Sequence, residues 1–597
     1  MLKITRRTAL EIGAAVGANV IARKATAAVS APVPLLAQFD YGQVELAPGP
    51  LDTQVRENRE ILLNLSEDSL LRPYRIREGL PAPGQDLGGW YDTYSFAPGF
   101  TYGQWMSALS RYYAATGDQA CREKVNRMVR GFASTIEPEG KFYLENRFPA
   151  YIYDKLVIGL IDAHTFAHDP TAVEVLDRAT DAVWKHLPPK AMPHWEKPVE
   201  HREDFTEHAW DESYTLSENQ FLAYQRTGNV RYLNLAKRLL FNDEFYDPLA
   251  RGENVLPGRH AYSHVNSLGS AAQAYLVLGD PKYLQAIKNG FDFVQQQSFA
   301  TGGWGPDEHF VEPGSGKLGE SLEKTHSSFE TPCGAYAHFK LMRYLLGITK
   351  NPMYGDSMER VLYNTVLGAT PLTPDGSTFY YSDYNFEGRK VFFGDKWPCC
   401  SGTLPQVAAD YRISAYFRDD RGVFVNLYVP STLRWSKPGA QFSLRQTTDY
   451  PYDNRIRIDV TASRPETFSV CLRIPRWASG ASFAVSGAPE SRKVTPGTWF
   501  EVHREWKNGD RIEVDLPRRM RLEAVDAQHP DTVALVAGPL ALMALRNGSA
   551  PKPSRAALLN AVQGSQAGHE WSSGELKLRP FPDIAGEPYS AYQRITG

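Results

Sequence analysis

The feature that most constrains the fold is a break that recurs inside otherwise helical sequence. "SALSRYYAATGDQACREKVNRMV" is interrupted at Gly117, "ENQFLAYQRTGNVRYLNLAKRLL" at Gly228, "AAQAYLVLGDPKYLQAIKNGFDFV" at Gly279 and "KLMRYLLGITKNPMYGDSMERVL" at Gly347. A further stretch, "LIDAHTFAHDPTAVEVLDRATDAVW", is interrupted near Asp169 and Pro170. Each flank has apolar residues at helical spacing and each break has Gly, Asn, Asp or Pro, so every stretch reads as two antiparallel helices joined by a turn. The breaks recur about every 50 to 70 residues, a unit of one helical hairpin with its loops. "TQVRENREILLNL" before them and "TLPQVAADYRISAYF" after them supply helix for a sixth pair. Hairpins repeated in this number predict a closed (α/α)6 barrel, with an open α-solenoid as the alternative.

After about residue 420 the texture changes. "GVFVNLYVPSTLRW", "RIRIDVTA", "FSVCLRIPRW", "WFEVHREW", "RIEVDLP" and "TVALVAGPLALMAL" are short β-branched or alternating runs separated by turn residues. They predict an antiparallel β-sandwich region, of one module or two. The opening "KITRRTALEIGAAVGANVIARKATAAVSA" has paired arginines, Arg6 and Arg7, then an apolar run and small residues. That is the pattern of a twin-arginine export signal, which places the mature protein in the periplasm or outside the cell. The predicted layout is residues 1–30 as signal, 31–420 as barrel and 421–597 as sandwich. A net charge of −3 over 597 residues leaves no basic footprint for nucleic acid. No stretch after the signal has the roughly 18 unbroken apolar residues of a membrane span.

Cysteine is the rarest clue. Of five in the chain, Cys399 and Cys400 are neighbours in "DKWPCCSGTLPQ". A disulfide between adjacent residues is strained, and one sulfur would fill a core as well as two. Upstream, "SSFETPCGAYAHF" puts Pro332 where a first helical turn tolerates it, so Cys333 falls near a helix N-terminus, an environment that favours thiolate. Glu330 precedes it. Glu330, Cys333, Cys399 and Cys400 offer one carboxylate and three sulfurs, a set that suits Zn2+, although their spacing is that of no zinc finger. Cys121 and Cys471 read as lone buried sulfurs, and no disulfide framework is expected. In "TGGWGPDEHF" Glu308 is a candidate proton donor and acceptor, with solvated loop charge as the plain alternative for it and Asp307.

These residues resemble the zinc-dependent β-L-arabinofuranosidases, glycoside hydrolase families 127 and 146 and their relatives. The resemblance runs in order through "GLIDAHTFAHD", "DESYTLSENQFLAYQRTGN", "SHVNS", "GGWGPDEHF" and "WPCCSGT". It continues in the β region through "LRIPRWA", "REWKNGDRIEVDLP", "VALVAGPLAL" and "LKLRPFPDIAGEPYSAY". It implies a retaining hydrolase with Cys399 as nucleophile and Glu308 as general acid/base. Glu330, Cys333, Cys399 and Cys400 would ligate zinc, and Glu212, Glu218, His264 and Asn266 would line the sugar site. Trp90, Trp304 and the Tyr380–Tyr381 pair are candidate sugar platforms. The sequence departs from the family's Glu-x-Cys, because Thr331 and Pro332 separate Glu330 from Cys333. The expected partner is an oligo- or polysaccharide. Two other readings are an inverting hydrolase pairing Glu212 or Glu218 with Glu308, zinc being structural or absent, and a non-catalytic glycan-binding protein.

Overall fold

Three of the breaks share one local chemistry. Gly117, Gly228 and Gly279 end their helices in the left-handed conformation, at φ 72°, 71° and 75°. A side chain at this φ would be strained, so glycine stops the helix cleanly. The next residue then caps the following helix: the side chains of Asp118, Asn229 and Asp280 accept from the backbone N–H of Ala120, Arg231 and Lys282. The fourth expected break is corrected. Gly347 lies inside the helix Thr331–Thr349, which ends at Lys350 with φ 60°. Its carbonyl accepts from Leu36 N–H at 2.9 Å, and an added Cβ would stand 3.2 Å from the Leu36 oxygen. Glycine is there for the approach of another segment.

The computed structural model describes residues 32–596 except 96, 145–147, 194–211, 488–491, 546–551 and 565–568. The export pattern lies outside these residues. The barrel helices are α1 (Pro50–Asn64), α2 (Tyr102–Thr116), α3 (Gln119–Ala133), α4 (Pro149–Thr165), α5 (Ala172–Val183), α6 (Leu216–Thr227), α7 (Val230–Arg238), α8 (Ala261–Leu278), α9 (Pro281–Gln295), α10 (Thr331–Thr349), α11 (Met353–Asn364) and α12 (Cys399–Ala415). The even-numbered helices contact one another in sequence, and α12 returns to α2, closing an inner ring. Each odd-numbered helix backs an inner one. The sixth pair joins the two ends of the barrel sequence, α1 lying on α12. The toroid is closed. Outer helices bury one face, whereas every residue of α12 is buried.

One outer helix runs back between successive inner ones, so all inner helices point the same way. Their C-terminal halves are tied by buried ions. Arg111 meets Asp162 at 2.9 Å and Asp410 at 3.1 Å, and Arg343 meets Asp410 at 2.6 Å. Their N-terminal ends, with the loops before them, are left to form a site.

The β region contains a five-stranded and a seven-stranded sheet that share a core, where Phe442 packs against Phe468 and Phe483 against Phe500. An eight-stranded C-terminal sheet follows. Burial alternates along Arg455–Ala462, as its sequence pattern requires. Two features were not legible. Gly422–Val425 pairs parallel with Ser469–Leu472. The first described strands, Ala37–Gln38 and Val44–Leu46, pair with Phe417–Arg418 and Ser431–Leu433, so the chain before the barrel belongs to the sheets.

Sandwich and barrel are locked by Arg473, fully buried and paired with Asp356 and Glu359. Arg473→Ala is expected to lower stability by roughly 3–5 kcal/mol, because it strands the buried Glu359 and the half-buried Asp356. Urea unfolding of the purified protein checks this, and a loss below about 1 kcal/mol contradicts it. Among the described residues no helix is long and apolar enough to cross a membrane.

Candidate metal centre and active site

Two inner helices begin at the site. Cys399 and Cys400 are the first residues of α12, and Cys333 lies in the first turn of α10, with Glu330 at its N-cap position. Free N–H groups and the positive end of each helix therefore face the sulfurs. Glu330 is held by a short antiparallel pairing of Phe329–Glu330 with Tyr381–Ser382. The ligand atoms of Glu330, Cys333, Cys399 and Cys400 lie within 4.8 Å of one another and all four residues are buried. Cys333 and Cys400 sulfurs are 3.5 Å apart, and the Cys399 sulfur is 3.3 Å from Glu330 Oε1. Tetrahedral zinc bonded at about 2.3 Å to sulfur and 2.0 Å to oxygen has edges of roughly 3.5–3.8 Å. The second oxygen of Glu330 is buried without a protein partner. The donor set fits zinc, and the residue inserted before Cys333 does not keep Glu330 from the cluster.

Electrostatics divide the sulfurs. Burial pushes the Cys333 and Cys400 thiols well above their ordinary range. Burial raises Glu330 too, reinforced by Cys399 and Glu308. Cys399 goes the other way: burial opposes its ionisation, but hydrogen bonds from Cys333, Cys400 and Tyr380 hold it well below the usual thiol value. Four acidic donors packed out of water favour a divalent cation. Exposure divides them as well. Cys399 is 7% exposed, whereas Cys333 and Cys400 are at 0%. Only one sulfur of the cluster can meet a substrate.

Glu308 faces this opening, its side chain 27% exposed. Both Asp307 and Glu308 have positive φ, at 52° and 63°. Such strain in non-glycine residues is held in place by the surroundings and is common at working sites. Asp307 Oδ1 accepts from the Thr325 hydroxyl and its N–H donates to Ser327, so it pins the loop while Glu308 is presented. The Tyr381 hydroxyl donates to Glu308 Oε1, and His260 Nε2 lies 3.4 Å from Oε2. Burial would raise the carboxyl, but His260, Tyr381 and Tyr380 outweigh it and bring it down to about 2. Tyr380 completes a bridge. Its hydroxyl is 3.4 Å from the Cys399 sulfur, and its ring lies 4.4 Å from that of Tyr381. Neighbouring tyrosines thus hold the thiolate and the acid.

The other expected residues divide. Glu212, at φ 57°, sits 3.7 Å from His260 Nδ1 and joins the site. Glu218 does not: it is ion-paired to Lys340 at 2.6 Å and accepts from Tyr344 at 2.8 Å. Lys340 is two helical turns, about 10 Å, beyond Cys333 along α10. His264 is 1% exposed, packed on Tyr214 and Phe245, with Nδ1 on the His260 carbonyl. The histidine that meets the acid is His260, one turn earlier and unnoticed in the sequence. The shared "H" four residues apart in "HAYSH" was the available signal. Asn266 is buried on α8, and among the described residues no hydrogen bond joins it to Glu308 or the sulfurs. Trp304 is corrected too: it is 1% exposed and its ring is held against Phe310 and Phe329, so it presents no face to a sugar. Trp90 is half-buried at the mouth. Cys121 and Cys471 lie elsewhere, their thiols pushed up by burial to about 12.

With this geometry in hand, comparison with known proteins is direct. The family model described as β-L-arabinofuranosidase, GH127 catalytic domain, matches residues 43–412, and that of the GH127 middle domain matches 422–518. A solved GH127 β-arabinofuranosidase superposes with a TM-score of 0.71 at 18% identity, covering 94% of this chain and 98% of its own. A GH127 β-L-arabinofuranosidase from Geobacillus stearothermophilus gives 0.68 at 17%, covering 93% and 100%. A structure described as a glycoside hydrolase gives 0.67 at 17%, covering 94% and 98%. At these identities the superpositions speak for the fold. No curated protein matches the sequence.

Proposed function

The chain belongs to the GH127 β-L-arabinofuranosidase family and is a glycoside hydrolase, and from that premise we propose that it releases terminal β-L-arabinofuranose from oligo- or polysaccharides with retention, using Cys399 as nucleophile. The observation that carries this reading is the link from Cys399, the least buried of the cluster's cysteines, to Glu308 through Tyr380 and Tyr381. Ionised Cys399 attacks the anomeric carbon while Glu308 protonates the departing oxygen. Glu308 then takes a proton from the water that cleaves the sugar–sulfur bond, and two inversions leave the configuration retained. In the free site Glu308 is a carboxylate. A glycosidic oxygen that takes the place of a donor such as His260 removes what stabilises that charge and raises the carboxyl toward the protonated form.

Glu330, Cys333, Cys399 and Cys400 would hold the zinc. When bound it would keep the cluster's sulfurs ionised near neutral pH and favour the Cys399 sulfur as a leaving group. His260 orients Glu308, with Glu212 behind it. Export by the twin-arginine route is part of the same proposal and rests on the arginine pair and the apolar run. The tests are metal content and product stereochemistry. About one zinc per chain is expected by elemental analysis, with the β-anomer appearing first by NMR. Full activity below about a tenth of an equivalent of metal, or an inverted first product, overturns the reading.

Cys400→Ser separates ligation from chemistry. It is expected to weaken zinc by more than the roughly 10–100-fold that loss of an outer-shell partner costs. The unfolding midpoint should fall with it, and excess zinc should restore part of both, because metal binding is coupled to folding. Unchanged affinity in competition with a chelator contradicts the assignment.

A further inference from the structure

Asp307 and Glu308 keep their positive φ only because the surroundings hold them, and what holds them reaches beyond the barrel. Glu308 lies within residues 298–328, a strap fastened at both feet to the eight-stranded C-terminal sheet and its loops. At the first foot the Ala300 N–H donates at 2.7 Å to the hydroxyl of Tyr592, a fully buried residue whose ring lies 6.2 Å from that of Phe299. At the second foot a short helix, Lys317–Lys324, begins at Gly316, which has no side chain to cap it. The cap comes from the loop before the strand Thr532–Ala537. There Asp526 Oδ2 accepts from the Gly319 N–H at 2.7 Å, and the Gln528 amide donates to the Gly314 carbonyl. The fit is close, since a Cβ at Gly319 would stand 2.2 Å from His529 Nδ1. Arg594, in the strand Gln593–Arg594, pairs with Glu323 near the other end of the helix. The helix ends at Thr325, whose hydroxyl donates to Asp307, the residue before the acid.

We propose that the C-terminal sheet positions the general acid, with Asp526 and Tyr592 as positioning residues that act on Glu308 through the strap. This rests on the arabinofuranosidase reading and its assignment of Glu308. A general acid must lie within hydrogen-bond reach of the leaving oxygen, and a misplacement of about 1 Å costs on the order of 10²-fold. Cys399 is carried by α12, outside the strap. Loosening either foot therefore weakens proton transfer and spares the nucleophile.

The experiment compares kcat/KM for a β-L-arabinofuranosyl disaccharide, which needs the proton, and for p-nitrophenyl β-L-arabinofuranoside, whose leaving group departs largely without it. Asp526→Ala is expected to lower the disaccharide value about tenfold and the aryl value less than about twofold, with zinc content unchanged. Asp526→Asn keeps an acceptor for the Gly319 N–H and should restore most of the loss. In a Glu308→Gln background Asp526→Ala should add nothing on the disaccharide, because the group it positions is gone. Tyr592→Phe keeps the buried ring, removes only the acceptor for the Ala300 N–H, and should shift the same ratio by a few-fold; it decides the matter if Asp526→Ala does not fold. Parallel losses on both substrates, unchanged ratios, or an undiminished loss in the Glu308→Gln background make the sheet a structural support only and overturn the proposal, leaving the family activity intact. Wild-type protein that cleaves neither glycoside overturns the arabinofuranosidase reading and the positioning role with it.

Discussion

Cys399→Ser is expected to abolish turnover, by on the order of 10⁴-fold or more, in a protein that still folds. Serine occupies the same first turn of α12 and keeps an oxygen toward the cluster, so the helix start and its packing survive. What is lost is the anion. The Cys399 thiol is held well below its ordinary value by Cys333, Cys400 and Tyr380, and a hydroxyl is far too weak an acid to be ionised by the same contacts. The measurements are kcat on a β-L-arabinofuranoside and mass spectrometry of intact protein after a haloacetamido sugar. The label is expected on Cys399 in the wild type and nowhere in the variant. Label on Glu212, or a serine variant with more than a few per cent of activity, removes the thiolate mechanism and returns the inverting carboxylate reading.

Glu308→Gln is the second large effect, and it depends on the leaving group. Substrates with poor leaving groups, such as a disaccharide, need the proton and should lose roughly 10²–10⁴-fold. Activated aryl arabinofuranosides leave without much help, so their first step should be spared more. The amide keeps the shape of the carboxyl against Tyr381 and His260, which makes a folding explanation testable by unaltered unfolding. An equal, small loss on both substrates would reassign the acid. A companion variant fixes the sign of the electrostatics. Tyr381→Phe removes a donor to the carboxylate and so raises the Glu308 pKa from its low value. The acid form is the active one in the first step, so the alkaline limb of kcat/KM should move to higher pH; a limb that moves down or stays contradicts the role of Tyr381.

The toroid was legible because its signals are local. A glycine that ends one helix and an Asp or Asn that caps the next act within a few residues, so Gly117–Asp118, Gly228–Asn229 and Gly279–Asp280 can be read without any tertiary contact. Gly347 misled because a glycine also serves close approach, and its neighbour Leu36 is distant in sequence. The metal cluster was legible from chemistry: three of five cysteines, two of them adjacent and one near a helix start, have few other uses.

What only the tertiary structure decided is which atoms face one another. The sequence by itself determined repeated helical hairpins followed by sheets, and a set of one carboxylate and three sulfurs suited to zinc. It supplied the two helices of a sixth pair, α1 and α12, but their contact forms only when the ring closes. It could not tell His260 from His264: one turn of chain separates them, and packing alone turns one toward Glu308 and the other into the aromatic core. Trp90 and Trp304 are likewise the same residue in two solvents, one at the mouth and one wedged between phenylalanines. Residue type sets what a side chain can do. The convergence of loops from four separate hairpins onto one end of the barrel sets which of them does it, and those distances arise between segments up to about 300 residues apart, beyond the reach of any local pattern.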